Sequence, residues 1–188
     1  MPTLLRGFET LIDRLDAAVR LGEPQTITAE IKRTLQQLAS TGGLPLDERF
    51  RQAPADRYAR RLLHRNPQLG YSIVVMTWGP AQRTPLHDHA GIWCVECVVA
   101  GELDVTQYDM VEQDGDRCRF ESRSTVRAAV GDAGCLIPPF EYHVLANARD
   151  DASAITLHVY GGEMDHCNVY LPDGDGAWQR SAKRLSYD

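Results

Sequence analysis

The sequence predicts a mainly β protein, an antiparallel sandwich or jelly roll with a helical N-terminal segment packed on it. In the first third of the chain, apolar residues recur mostly at spacings of three and four, as on one face of a helix. From Tyr71 onward the chain consists of short runs that are β-branched or alternating, separated by turn signals such as Gly79-Pro80 and Asp114-Gly115. Many short strands at regular spacing are typical of an all-β sandwich or barrel.

Three helices are expected before the strands. The second runs from a cap at Thr26 or Thr28 to about Ser40, and Gly42-Gly43 ends it. A short third helix is predicted over residues 57–64. The first helix is predicted from an apolar stripe that consists of Leu4, Leu5, Phe8, Ile12, Leu15, Ala18 and Val19.

Eight strands are expected in the rest of the chain, and the tail after Trp178 is polar and uninformative. We expect one domain over residues 1–188, helical over about 1–66 and with the barrel over about 71–172. The predicted strands cover residues 71–78, 92–99, 103–108, 118–122, 134–137, 143–146, 154–160 and 168–171.

Composition and charge exclude several classes of protein. Hydrophobic residues make up 43% of the chain, which is enough for one core, and 20 basic against 26 acidic residues give a net charge of -6. Because no run of five like charges occurs, nucleic acid and anionic membranes are poor candidate partners. No apolar stretch has the length of a signal-peptide core or a membrane span, and the five cysteines are an odd set. We therefore expect a reduced, cytoplasmic protein, a monomer or a weak homo-oligomer.

A pair of histidines, His87 and His89, is the first candidate metal-binding element. In an extended segment, residues two apart project from one face at about 6–7 Å between Cα atoms, so their nitrogens can converge on one ion. The pair alone is weak evidence, because two surface histidines after Pro85 would give the same pattern.

The spacing around this pair adds support. Gly101 follows His89 by twelve positions, and Pro138, His143 and Asn147 follow later at spacings of five and four. The pattern resembles the two motifs of the cupin superfamily, G(x)5HxH(x)3-4E(x)6G and G(x)5PxG(x)2H(x)3N. That resemblance implies a jelly-roll barrel.

It also implies a metal ion bound by His87, His89 and His143. The chain departs from the second motif at Phe140, which stands in place of a glycine, and the leading glycines are spaced more widely than usual. These departures concern loops more than the ligand set.

The glutamate of the first cupin motif is missing, and Cys94 stands in its position. Glu96, two residues further on, would lie on the same strand face and remains a residual candidate ligand. A site made only of imidazoles is neutral, so a divalent ion keeps its full charge. Such a site favours an anionic substrate that brings its own donors, for example a thiolate with a neighbouring amine.

Four segments, in order, resemble the cysteine dioxygenase family. The chain has Tyr58-Ala59-Arg60-Arg61-Leu62 before the barrel, a cysteine five residues after the second histidine of His87-Asp88-His89, the second-motif His143, and Thr156-Leu157-His158-Val159-Tyr160 on a late strand. The resemblance covers most of the chain from about Tyr58. It implies iron(II) as cofactor, O2 as co-substrate and a thiol oxidised to a sulfinate.

The family also implies roles for individual residues. Cys94, His158 and Tyr160 would be catalytic, with Thr156 orienting His158 and His158 orienting the Tyr160 hydroxyl. In cysteine-oxidising members the equivalents of Cys94 and Tyr160 can become covalently joined. The residues themselves agree in part, because Thr156, His158 and Tyr160 alternate with apolar residues and would share one strand face. Hydrogen-bonded core residues would show the same alternation.

The expected substrate-binding residues are Arg60 and Tyr58. The resemblance implies that Arg60 pairs bidentately with a substrate carboxylate, and related enzymes for 3-mercaptopropionate carry glutamine at that place. This favours a small thiol with a carboxylate, L-cysteine first. Gly161-Gly162 replaces a serine-proline pair of the family, and Cys167 aligns with a further family cysteine.

Other readings stay open on the sequence alone. The same chemistry could act on 3-mercaptopropionate, cysteamine or homocysteine. A cupin that binds a metal or a small anion without turnover is a rival from another class, and an isomerase or epimerase is a third. No segment typical of DNA binding accompanies the barrel, which disfavours a regulator.

Overall fold

The computed structural model describes residues 8–42, 44 and 46–188. The helical part consists of α1 (Phe8–Val19), α2 (Pro24–Ser40) and a 3-10 turn (Glu48–Phe50). The first predicted helix is confirmed over its described residues, whereas Leu4, Leu5 and the predicted stop at Gly43 lie outside them. No helix in the described ranges is both long and apolar enough to cross a membrane.

The predicted cap of α2 is wrong. The helix begins at Pro24, in front of both threonines, and the hydroxyl of Thr28 donates to the Pro24 carbonyl at 2.8 Å from inside the helix. Proline suits a first turn because its fixed φ is helical and the N–H that it lacks would have no partner there.

Strands dominate the remainder, and all eight predicted strands are present. Six have ends within two residues of the prediction, whereas the strands predicted over 103–108 and 118–122 each run six residues further, to Asp114 and Ala128. The strands are β1 (Ala59–Asn66), β2 (Tyr71–Trp78), β3 (Leu86–His87), β4 (Cys94–Ala100), β5 (Leu103–Asp114), β6 (Arg117–Ala128), β7 (Ala133–Leu136), β8 (His143–Asn147), β9 (Ala154–Tyr160), β10 (His166–Pro172) and β11 (Trp178–Arg184).

The helix predicted over residues 57–64 is wrong, because that segment forms β1. It pairs antiparallel with β2, from Ala59 opposite Thr77 to Asn66 opposite Tyr71. Every residue of β2 is buried, so its backbone groups need strand partners on both sides, and β9 satisfies only one of them. Strand geometry also turns Arg60 inward and Arg61 to the opposite face.

Two sheets build the barrel, as the predicted jelly roll requires. One has the order β1-β2-β9-β4-β7, and the other is a closed ring of order β10-β11-β6-β5-β8-β3. A cluster of buried side chains that includes Val74, Leu103, Leu145 and Val169 joins strands of both sheets, so it fills the barrel. The helices cover the other face of the first sheet, where Leu35 belongs to one cluster with residues of β2, β4 and β9.

Candidate functional site

The barrel brings the three predicted histidines together. His87 ends β3 directly opposite His143 of β8, and His89 follows in the next loop. Their ligand nitrogens all lie within 4.8 Å of one another, and the Nε2 atoms of His87 and His143 are 3.2 Å apart. The three side chains could therefore hold one metal ion, and no fourth protein ligand joins them among the described residues.

The outer nitrogens of the same rings face acceptors. His87 Nδ1 lies 3.1 Å from the Pro85 carbonyl, and His89 Nδ1 lies 3.6 Å from a carboxylate oxygen of Glu141. His143 Nδ1 lies 3.7 Å from Oε1 of Glu96. An acceptor behind each ring leaves the other nitrogen for an ion, as is usual for histidines that bind metals.

Electrostatics keep these imidazoles neutral, which is the form that binds a metal. Burial, together with the neighbouring His89, lowers the pKa of His87 to about 3. Burial lowers the pKa of His143 well below its ordinary value, and His87 and His89 add to the effect. Three neutral nitrogens fit a divalent transition metal, and the donor set alone suits iron, zinc, copper or nickel.

Glu96 is buried but lies behind the histidines. Its carboxylate approaches the outer nitrogen of His143, on the side away from the three converging nitrogens. The residual expectation of a fourth ligand is therefore not supported by the geometry. Burial raises the pKa of Glu96 to about 8.

Arg60 is a buried cation that faces the same cavity as the histidines. Only 6% of its surface is exposed. Its Nη1 donates to the Ser186 carbonyl at 3.2 Å and its Nη2 to the Met164 carbonyl at 2.9 Å. Within the described part of the chain, no carboxylate lies within 4.0 Å of the guanidinium. An anion from outside would complete this environment, because a buried charge without a partner is costly.

Tyr58, the second predicted substrate-binding residue, lines the same cavity. Its ring lies against Trp78, with centroids 4.7 Å apart. Burial raises the pKa of its hydroxyl, so Tyr58 offers a neutral donor beside Arg60.

Cys94 and Tyr160 lie directly opposite each other on β4 and β9. Both are buried, and burial raises the pKa of the thiol and of the phenol well above their ordinary values. Directly opposite residues of neighbouring strands project to one face with Cβ atoms about 4.5–5.5 Å apart. Tyr160 also lines the histidine cavity, and its ring centroid is 6.0 Å from that of His89.

The predicted relay is formed only in its first half. The Thr156 hydroxyl and Nε2 of His158 are 2.7 Å apart, and Trp78 Nε1 donates to the same hydroxyl at 2.9 Å. The rings of His158 and Tyr160 stack with centroids 5.9 Å apart. No hydrogen bond joins His158 to the Tyr160 hydroxyl in the described structure. The other nitrogen of His158 instead lies 3.7 Å from Oε2 of Glu96.

These residues enclose a small cavity of about 30 Å³. Its wall consists of Tyr58, Arg60, Met76, Thr84, Pro85, His87, His89, His143, Leu145, His158, Tyr160, Met164, Cys167, Val169, Lys183 and Leu185.

Several positions around the site escaped the sequence analysis. Glu141 belongs to no recognisable motif, yet its carboxylate also accepts from the His89 backbone N–H at 2.9 Å. Trp78 and the carbonyl of Ser186 likewise gain their roles only through folding. Of these positions, only Glu141 lies close in the sequence to a predicted metal ligand, two residues before His143.

The surroundings of Gly161 leave no room for the larger residue of the family pattern. A Cβ at this position would lie 2.3 Å from Nε1 of Trp93, a distance that no side chain tolerates. The indole of Trp93 therefore occupies the space that a side chain at position 161 would need.

Comparisons with known proteins agree with the motifs. The family model of cysteine dioxygenase type I matches residues 46–172. Cysteine dioxygenase type 1 of Rattus norvegicus is 22% identical over 114 residues, which are 61% of this chain and 56% of the rat protein. The chain thus spans little more than half the length of this relative. The protein of the same name from Danio rerio is 23% identical over 168 residues, 86% of this chain and 79% of the fish protein.

A crystal structure of a protein from Thermus thermophilus overlaps more loosely, with a TM-score of 0.47, 17% identity, and coverage of 62% of this chain and 94% of that one. The family match covers more than half of this chain and includes all three clustered histidines, Cys94 and Tyr160. The chain belongs to the cysteine dioxygenase type I family.

Proposed function

We propose that the protein is an iron(II)-dependent thiol dioxygenase that converts L-cysteine to cysteine sulfinate. One observation carries the proposal: three convergent histidines line one small cavity with a buried arginine that has no anionic partner among the described residues. The histidines offer a neutral metal site, and the arginine offers a place for a carboxylate. A small thiol with a carboxylate satisfies both.

The reaction balances as thiol plus O2 gives sulfinic acid. Both oxygen atoms are added to sulfur, which loses four electrons, and O2 gains the same four. Iron(II), when bound by His87, His89 and His143, would supply this redox chemistry and favour the thiolate form of the substrate.

The chain's own residues bind and orient the substrate. Arg60 retains free N–H groups beyond the two that bind carbonyls, and these would form charge-assisted hydrogen bonds with the carboxylate. Tyr58 and Tyr160 carry hydroxyls whose raised pKa keeps them protonated, so they act as donors in the cavity. Arg60, His143 and Tyr160 are buried, which keeps water from much of the cavity and strengthens these interactions.

Oxygen consumption by the iron-loaded protein with a panel of thiols tests the proposal. We expect the highest kcat/KM with L-cysteine, lower values with 3-mercaptopropionate and cysteamine, and a sulfinate that carries two labelled atoms from ¹⁸O2. A preference for 3-mercaptopropionate would support thiol dioxygenation but would contradict L-cysteine as the substrate. Iron binding without uptake of O2 for any thiol would contradict the proposal and favour a binding cupin.

A further inference from the structure

Glu96 lies between two histidines and touches both. It projects from β4 into the barrel and is only 8% exposed. Its Oε1 lies 3.7 Å from Nδ1 of His143, and its Oε2 lies 3.7 Å from Nδ1 of His158. One histidine belongs to the metal-binding group and the other lies beside Tyr160. A single carboxylate therefore connects two functionally different rings.

The hydrogens on these rings can be assigned from their other contacts. His143 directs Nε2 toward His87, so a metal at that side leaves the hydrogen on Nδ1. The Thr156 hydroxyl accepts from Trp78 with one lone pair, and its hydrogen is free to donate to Nε2 of His158. His158 then also carries its hydrogen on Nδ1. Both N–H groups face Glu96, and two such donors favour its ionised, accepting form over the neutral form that burial favours.

Three polar atoms of these residues lack a hydrogen-bond partner among the residues that the structure describes. Nδ1 of His143, Nδ1 of His158 and Oε2 of Glu96 are all buried without a hydrogen bond in the described part of the chain. Buried polar groups are nearly always paired, and both N–H groups reach hydrogen-bonding distance of the carboxylate once each 3.7 Å separation shortens by about half an ångström. Their common position makes Glu96 the natural acceptor for both.

We propose that Glu96 is a positioning residue that accepts from His143 and His158 and holds the metal-binding ring and the ring beside Tyr160 in one fixed arrangement. An acceptor on the outer nitrogen of a ligating histidine fixes the ring and increases its basicity. Because the carboxylate is shared, a change at His158 alters the metal site through Glu96. The inference rests on the proposed function only in taking His143 as a metal ligand.

Metal affinity measured without thiol or O2 tests this role. Co(II) is titrated against a chelator into the wild type and into E96L, E96Q and the control E121Q, an exposed acid on β6. Loss of such a partner weakens binding by roughly 10–100-fold, so we expect that loss in E96L. E96Q keeps one acceptor oxygen for the two N–H groups, so its affinity should fall by about tenfold, at the lower end of that range. E121Q should bind Co(II) as the wild type does.

The absorption spectrum of bound Co(II) separates positioning from general stability, since a displaced ring changes the ligand geometry while a less stable fold does not. We expect a changed spectrum in E96L and an intermediate one in E96Q. Replacement of His158 by phenylalanine should weaken Co(II) binding when Glu96 is present. In the E96Q background, the same replacement should change the Co(II) affinity little.

Wild-type affinity and spectrum in a folded E96L would overturn the proposal. If E96L does not fold, the test rests on E96Q, because glutamine has nearly the same size as glutamate. Wild-type affinity for Co(II) in E96Q would then overturn the proposal. The effect of the Glu96 substitutions on Co(II) binding can be interpreted even if the oxygen-uptake assay fails, since Co(II) binding needs neither thiol nor O2.

Discussion

Two cavities in the barrel differ in size and in the residues that line them. The histidine cavity measures about 30 Å³, whereas a second cavity, bounded by α2 and strands of both sheets, measures about 380 Å³. Glu96 lines only the larger cavity, although its carboxylate reaches the outer side of His143. The two cavities are thus separated by little more than one layer of side chains.

The walls of the two cavities differ in kind. The larger one is lined mainly by apolar residues such as Val105 and Leu136, with Lys32 and Asp132 as its charged residues apart from Glu96. The smaller one has four imidazoles and a buried guanidinium. Titratable groups that could take part in catalysis are therefore concentrated in the smaller cavity, and cavity size is a poor guide to where they lie.

The largest effect is expected from the metal-binding group. Replacement of His87, His89 or His143 by alanine removes one of three donors, so the iron content should fall to a small fraction of wild type and turnover should be abolished. Metal analysis and oxygen uptake measure both effects. His166, which is exposed, provides the matched control, and H166A should keep full iron. A variant of the three with full iron and near-normal rate would remove that residue from the site.

Arg60 should have the next largest effect. Truncation of a buried, hydrogen-bonded charge partner costs roughly 2–5 kcal/mol, which corresponds to a loss of about thirtyfold or more in kcat/KM. Arg60→Gln should therefore depress oxidation of cysteine far more than that of cysteamine, which has no carboxylate.

The neighbouring Arg61→Gln is the matched control, because Arg61 points to the other face and binds the Gln52 carbonyl and the Thr77 hydroxyl. Equal losses for cysteine and cysteamine in Arg60→Gln would make Arg60 a structural residue.

A smaller effect is expected from the Cys94–Tyr160 pair. During turnover we expect part of the protein to form a thioether between the sulfur and the phenol ring, with loss of two hydrogens to O2 as oxidant. Peptide mass spectrometry should find the joined peptides in the wild type and in C97A, whose cysteine packs on the helical side. C94A should lack them. Joined peptides that involve another cysteine would contradict the pairing on β4 and β9.

The smallest effects are expected in the large cavity. Ser124 is half-buried, and its hydroxyl makes only a 3.5 Å contact with Gln107. S124A should change the free energy of unfolding by about 0.5 kcal/mol or less and leave kcat/KM with cysteine within about twofold. Denaturant unfolding and oxygen uptake measure the two quantities. A tenfold loss of activity would mean that the large cavity takes part in the reaction. It would contradict the proposed difference between the two cavities.

Much of the fold and the ligand group could be predicted because the signals are local. Residues 71–78 and 154–160 were predicted with the bounds that β2 and β9 have, since buried and alternating runs carry their own periodicity. His87 and His89 share one extended segment, and His143 occurs in a spaced motif. Such patterns can be read within a window of a few residues, whatever the rest of the chain does.

The errors arose where the local pattern allowed two structures. Residues 57–64 contain leucines and arginines that fit a helix or a strand, and pairing with β2 decided for the strand. β11 is mostly polar and exposed, so only its pairing with β10 and β6 makes it a strand. The residues of both segments have only a weak preference for helix or strand, so hydrogen bonds to distant strands determine that both form strands.

By itself, the sequence determined the mainly β fold, the family and the three histidines, because each depends on residue type and short spacing. The tertiary structure alone decided what lies behind and around them: Glu96 against His143 and His158, Glu141 against His89, and the carbonyl of Ser186 against Arg60. These partners are 47, 62, 52 and 126 positions apart in the chain, by subtraction of their residue numbers. Contacts over such distances depend on how two sheets close into a barrel, and no periodicity in the sequence encodes them.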